Sequence, residues 1–205
     1  MSFVDEDYKL CFIHVPKAAG TSVSEALKKN LLPVSYRHHN LYRWAGSGCS
    51  TLLDHQKDFN RLPDWSFAII RNPYERCLSD WTFTRCAVLP ELRYRDDWRE
   101  YLDNCQSLNW SALHLAGDDS AYVGACPSHC FVSINGEIKV DTLIKMENIN
   151  KVPQIIWENT GIRLGKIPSL NVTNSIRFME LLMDEESKRI IREIYAKDFE
   201  LYEGV

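Results

Sequence analysis

The stretch KLCFIHVPKAAGTSVSEALKKN, Lys9 to Asn30, narrows what this chain can fold into more than any other. Leu10 to Val15 is a short apolar run rich in β-formers, the pattern of a buried strand, and Pro16 ends it. Lys17-Ala18-Ala19-Gly20-Thr21-Ser22 follows. Val23 to Asn30 then reads as a helix, with Val23, Ala26 and Leu27 on one face and Glu25 a turn from Lys28 and Lys29. A strand feeding a helix through small residues gathers backbone N–H groups around an anion. The first helical turn has unpaired donors and carries the positive end of the helix dipole. Ala18, Ala19 and Gly20 let an oxyanion approach the backbone, Thr21 and Ser22 add hydroxyl donors, and Lys17 adds a mobile charge. The stretch predicts a phosphate- or sulfate-binding loop. It is not the Walker pattern, because Lys17 precedes the glycine and no glycine begins the loop. The alternative is an ordinary strand-to-helix connection with a Thr or Ser N-cap.

The same arrangement recurs downstream. Trp65 to Arg71 is a second apolar strand closing in Arg71-Asn72-Pro73, with Pro73 suited to the first position of a helix. Tyr74 to Arg85 carries Cys77, Leu78, Trp81 and Thr84 at helical spacing. Two buried strands that each feed a helix predict an α/β fold: a single domain over residues 1–205 with a central, mostly parallel sheet flanked by helices. Ligand groups are then expected at the carboxyl ends of the strands.

Between the junctions, Lys28 to Asn60 reads as loops and short helices holding His38, His39 and His55, with a helical turn over Thr51 to Phe59 carrying Asp54 and His55. Residues 86–127 are a candidate insertion covering the active site, with short helices at Asp96–Asn104 and Ser107–Ala116. Cys130–Ile134 and Thr142–Lys145 read as strands, with Asn135-Gly136 as the turn between them. Glu147–Thr160 reads as a helix capped by Gly161, and Asp184 as the N-cap of a long amphipathic helix, Glu185–Tyr202.

A net charge of −4 argues against a protein that coats nucleic acid. An anionic ligand therefore needs a local basic pocket, for which Lys17, Arg71 and Arg76 are available. No run reaches the length of a membrane span, and the acidic N-terminus lacks the pattern of a signal peptide, so a soluble, cytoplasmic chain is expected. The seven cysteines are scattered, and only Cys126-Pro-Ser-His129-Cys130 is a close pair, a metal half-site or a disulfide. No second pair completes a four-ligand zinc site, so free thiols in a reducing compartment and no metal are expected.

With both junctions in view, the chain resembles the PAPS-dependent sulfotransferases. FIHVPKAAGTSV is similar to their 5′-phosphosulfate loop. FAIIRNPYERCLSDW is similar to their 3′-phosphate motif, with Arg71 and Ser79 as its arginine and serine. IREIYAKDFELY and VDTLIKMENI resemble segments of the Golgi-type carbohydrate branch, the heparan sulfate 2-O-sulfotransferase-like proteins. The resemblance runs from about residue 9 to 202 and is weakest between 86 and 127. It implies a P-loop-like sulfotransferase fold, PAPS as co-substrate and PAP as product, no metal, and transfer to an acceptor hydroxyl of a sugar or glycan. Lys17, Ala18, Ala19, Gly20, Thr21 and Ser22 would hold the phosphosulfate, and Arg71 and Ser79 the 3′-phosphate. Lys17 would neutralise the leaving group, and His55 would be the base by its place ahead of the second strand. Asp54 stands where that branch tends to have glycine. The Arg-Lys-Gly segment of the cytosolic enzymes is absent, with Lys166 and Asn171-Val-Thr173 as candidates for part of its work. The carbohydrate branch is usually Golgi-anchored, so a lumenal catalytic domain without its anchor is the alternative location. The competing functions are a small-molecule or nucleotide kinase of related fold and a non-catalytic PAP- or PAPS-binding module. Trp44, Trp81, Trp98 and Trp110 are either sugar-stacking or core residues.

Overall fold

The computed structural model describes residues 2–5, 7, 9–31, 51–85, 97–108, 124–170 and 176–205. Its central sheet runs in the order β1 (Phe3–Val4), β2 (Leu10–Ile13), β3 (Trp65–Ile70), β6 (Thr142–Lys145). β2, β3 and β6 are parallel, with Ile13 opposite Ala68 and Ala68 opposite Leu143, while β1 is an antiparallel edge strand. All residues of β2 and β3 are buried, which is why both read as unbroken apolar runs: helices cover both faces of a parallel sheet. β3 is pinned to the approach to β6 by Asp141, whose Oδ2 accepts from both the amide and the hydroxyl of Ser66 at 2.7 Å.

Helices α1 (Gly20–Asn30), α2 (Leu52–Phe59) and α3 (Pro73–Arg85) follow β2, the undescribed stretch and β3 in turn. Thr51 and Asp54 close α2 as a reciprocal capping box. Asn72 starts α3: its Oδ1 accepts from the Tyr74 amide at 3.0 Å, and Pro73 fills the first helical position as expected. α4 (Trp98–Ser107), capped by Asp97, begins two residues later than the sequence suggests. α5 (Ser128–Val132), the hairpin β4 (Ser133–Ile134) and β5 (Glu137–Ile138), and α6 (Val152–Thr160) complete the middle of the chain. The predicted strand Cys130–Ile134 is thus mostly helix. A short apolar run does not by itself distinguish the two. The turn Asn135-Gly136 is there, both residues at positive φ, and Gly161 caps α6 at φ 72.

The predicted C-terminal helix is two. α8 (Glu185–Ile194), capped by Asp184, breaks at Tyr195 before α9 (Ala196–Glu203); α7 (Ile176–Leu182) precedes them. Two apolar clusters result. One lies on the sheet beneath α1, α2, α5 and α6. The other joins α3 to α4 and α8 through Leu78, Trp81, Trp98, Tyr101, Ile191 and Tyr195. Trp81 and Trp98 meet edge to face in this second cluster, so they are core residues; Trp44 and Trp110 lie outside the described residues. No helix among the described residues is long and apolar enough to cross a membrane.

Candidate functional site

The parallel register of β2 and β3 brings their two carboxyl-terminal junctions side by side. The first is tighter than a capped connection. α1 begins at Gly20, three residues before the predicted start, and its N-cap is Ala19 in the left-handed conformation, with no side-chain cap. Lys17 is left-handed as well (φ 64). Two non-glycine residues with positive φ in one short turn carry a backbone cost that the surrounding fold sustains. The amides of Ser22 and Val23 both donate to the Ala19 carbonyl, at 3.0 and 3.3 Å.

Gly20 is required by space. A Cβ there would lie 2.3 Å from the His14 ring, which folds across the start of α1. Thr21 is exposed, whereas Ser22 is buried and accepts from the Leu170 amide at 3.1 Å. This bond draws the segment after α6 against the loop and brings the chain to the edge of the Asn171-Val-Thr173 loop, which itself lies outside the described residues.

Arg71 joins the two junctions. Its Nη1 donates to the Lys17 carbonyl at 3.4 Å, and its Nε donates to Glu75 at 3.1 Å. The Lys17 ammonium sits 3.7 Å over the ring of Phe83 on α3. Burial lowers the Lys17 pKa and the Arg71 charge adds to that, while Asp80 opposes it. Lys17 and Arg71 thus oppose one another electrostatically, with Glu75 paired to Arg71 and Asp80 acting on Lys17. Ser79 is buried two turns along α3, on the helix that Arg71 precedes.

Arg76 does not belong to this pocket, contrary to the sequence expectation. It is almost fully buried, donates to the Gly124 carbonyl at 2.9 Å, pairs with Asp198 at 3.6 Å and lies over the Tyr195 ring. Burial works against its charge, but the surrounding acidic groups raise its pKa nonetheless. Its spacing on α3 points it inward, a fact that charge counting along the sequence cannot supply.

His55 sits on a different element. α2 packs on α5 and β4, and the His55 side chain is 0% exposed and stacked on Phe59. Asp54 is committed to the cap of α2, where its carboxylate accepts from the Thr51 amide and hydroxyl at 2.9 and 2.8 Å. His38 and His39 lie outside the described residues.

A separate polar cluster lies at the start of α5, and the sequence showed only part of it. Asp198 of α9 accepts from the amides of Ser128 and His129 and from His129 Nδ1, at 2.6, 2.9 and 2.9 Å. His129 Nε2 faces the Cys130 sulfur at 3.7 Å. Among the described residues no group of His, Cys, Asp or Glu is gathered so as to hold a metal ion, and Cys126 and Cys130 are free thiols.

The family model that matches is described as "Sulfotransferase family", and it covers residues 1–116, from β1 through both junctions to beyond α4. No curated protein and no solved structure matches the chain.

Proposed function

The chain belongs to the sulfotransferase family, and from that premise we propose that it moves the sulfuryl group of PAPS in line to an acceptor hydroxyl on a sugar or glycan, releasing PAP. The observation that carries this reading is the contact between Arg71 and the Lys17 carbonyl, which unites the two junctions in one basic site. PAPS carries a 5′-phosphosulfate and a 3′-phosphate and so calls for two anion sites a nucleoside apart. The loop Lys17 to Ser22 suits the first. Gly20 admits the His14 ring beside the loop, the first-turn amides would face the anion, and Thr21 supplies an exposed hydroxyl. Arg71, with its planar fork, suits the second, with Ser79 on the helix that follows it.

In this reading Lys17 leaves the Phe83 ring and meets the bridging oxygen of the leaving phosphate, where charge builds. Backbone donors of the loop hold the same charge without reorganising. His55 is the proposed base. Being fully buried, it would have to be uncovered as the acceptor enters. The test is transfer of labelled sulfate from PAPS to a panel of desulfated glycans and simple sugars. The full chain should sulfate at least one of them, and Lys17→Ala should not. His55→Gln should lose transfer while keeping PAP affinity. If no hydroxyl acceptor is labelled while PAP binds tightly, the chain is a binding module and the catalytic part of the proposal fails.

A further inference from the structure

The cluster at the start of α5 has the parts of a reactive thiol and has no place in the chemistry above. Cys130 is half-buried, beside the fully buried Cys126. The Cys126 thiol donates to the Pro127 carbonyl at 3.9 Å, and its electrostatics are tied to those of Cys130. On the other side of Cys130 stands His129 Nε2 at 3.7 Å, and Nδ1 of the same ring donates to Asp198 at 2.9 Å. Asp198 cannot drift: two α5 amides donate to it, Arg76 lies 3.6 Å away, and its side chain is 3% exposed. With the ring so oriented, Nε2 is the atom turned to the sulfur.

We propose that Cys130 is a peroxide-reactive thiolate and Cys126 its resolving partner, so that this corner of the molecule closes a Cys126–Cys130 disulfide on oxidation. Among the described residues, Cys126 and His129 act on the Cys130 sulfur, Asp198 on the His129 ring, and Arg76 lies behind Asp198 at 3.6 Å. Together they form a charge-relay line ending in a carboxylate held by its own buried cation. The neighbouring Cys126 side chain pulls the Cys130 thiol down; burial opposes that, and the His129 ring adds to the lowering. Burial resists charge on His129, but Asp198 and Cys130 outweigh it and lift the imidazole to about 9. The two shifts run in opposite directions, and each charge favours the other, so the geometry supports a thiolate–imidazolium pair.

The step balances. The Cys130 thiolate attacks the terminal oxygen of a hydroperoxide. An S–O bond forms and the O–O bond breaks. The departing alkoxide or hydroxide takes the proton from His129, leaving sulfenic acid and an alcohol or water. The sulfur is oxidised by two electrons and the peroxide is reduced. The Cys126 sulfur then attacks Cys130, the S–O bond breaks, and the hydroxide leaves with the Cys126 proton as water. Cys126 and Cys130 lie four residues apart, and the turn between them is closed by the Cys130 amide, which donates to the Pro127 carbonyl at 3.1 Å.

The full-length chain, reduced and then given one equivalent of hydrogen peroxide, should yield the linked Cys126–Cys130 peptide as its main product, reversed by dithiothreitol. Cys126→Ser should instead accumulate a sulfenic acid at position 130 that a cyclic 1,3-diketone traps. Alkylation of Cys130 in the unmodified chain should change little between pH 6 and 8, where an ordinary thiol speeds up roughly 70-fold. His129→Gln should restore that steep rise. A peroxide product that lies at other cysteines, or an ordinary pH profile at Cys130, overturns the proposal. The profile needs no substitution, so it decides even if the variants fail to fold.

Discussion

Replacing Gly20 by Ala tests the geometry of the anion loop with a single methyl group. No positive φ is involved, so the effect is steric. The new Cβ would lie 2.3 Å from His14 Cδ2 and Nε2 and 2.7 Å from Cε1, well inside contact distance. The ring has little room to retreat. It is buried, lies beside the Phe12 ring at 6.2 Å, and its own amide is tied to the Ser2 hydroxyl at 3.1 Å. Overpacking of this kind costs about 1–3 kcal/mol. In an uncrowded helix the same change would stabilise by about 0.5–1 kcal/mol. The sign of the result therefore reports the clash. Urea unfolding should show a net loss of about 1–2 kcal/mol, and the melting temperature should fall by roughly 2–8 °C for a chain of this size. His14→Ala should relieve most of that loss, giving a coupling on the order of 1 kcal/mol or more in a double-mutant cycle. A Gly20→Ala chain as stable as the parent, or a cost that persists without the His14 ring, would refute the packing described for this loop.

Other perturbations address the electrostatics. Lys17→Ala should reduce turnover by roughly 100- to 1,000-fold while weakening PAP binding far less, since its charge matters most where the leaving group forms; comparing the rate of transfer with calorimetric affinity checks this. Asp198→Asn should destabilise by about 3 kcal/mol or more in urea unfolding, because it leaves the buried Arg76 without its ion pair. The stability of the reduced chain should rise with pH from about 5 to 6.5. Cys130, lowered to about 5, contributes stability that is lost as pH falls through that value. His129, raised to about 9 from 6.5, contributes fully below 6.5, and above it the loss on His129 is offset by the gain on Cys130. Cys130→Ser should flatten the acid side of that curve; an unchanged slope would remove the thiolate from the account.

The first junction was legible in the sequence because everything it needs is local: an apolar run, a proline, small residues and then a helical face. Pro73, Gly161, Asp184 and the Asn135-Gly136 turn were legible for the same reason, since each sets a backbone angle or fills a cap by itself. The two-residue strand β1 is too short to leave a pattern, and its antiparallel pairing is a tertiary fact. The break at Tyr195 leaves the amphipathic spacing of the C-terminal stretch intact, so periodicity cannot reveal it. The inward turn of Arg76 and its meeting with Asp198 depend on how α3 and α9 pack, and no nearby residue announces either. Cys126, His129 and Cys130 were visible as a group, but their chemistry depends on Asp198, which arrives from the far end of the chain. The sequence offers Ser22 as a hydroxyl donor to an anion, but not the bond it accepts from the Leu170 amide, made across most of the sequence.

The central claim is that Lys17 and Arg71 form one site with two anion positions, and paired calorimetric titrations of PAP and adenosine 5′-phosphosulfate test it most directly. Only PAP has the 3′-phosphate, and a charge-assisted contact from Arg71 should make it the tighter ligand by roughly 10- to 150-fold. Arg71→Ala should erase that preference and leave the affinity for adenosine 5′-phosphosulfate nearly unchanged. Equal affinities in the parent chain, or an Arg71→Ala chain that loses both ligands alike, would contradict the assignment of the second junction to the 3′-phosphate.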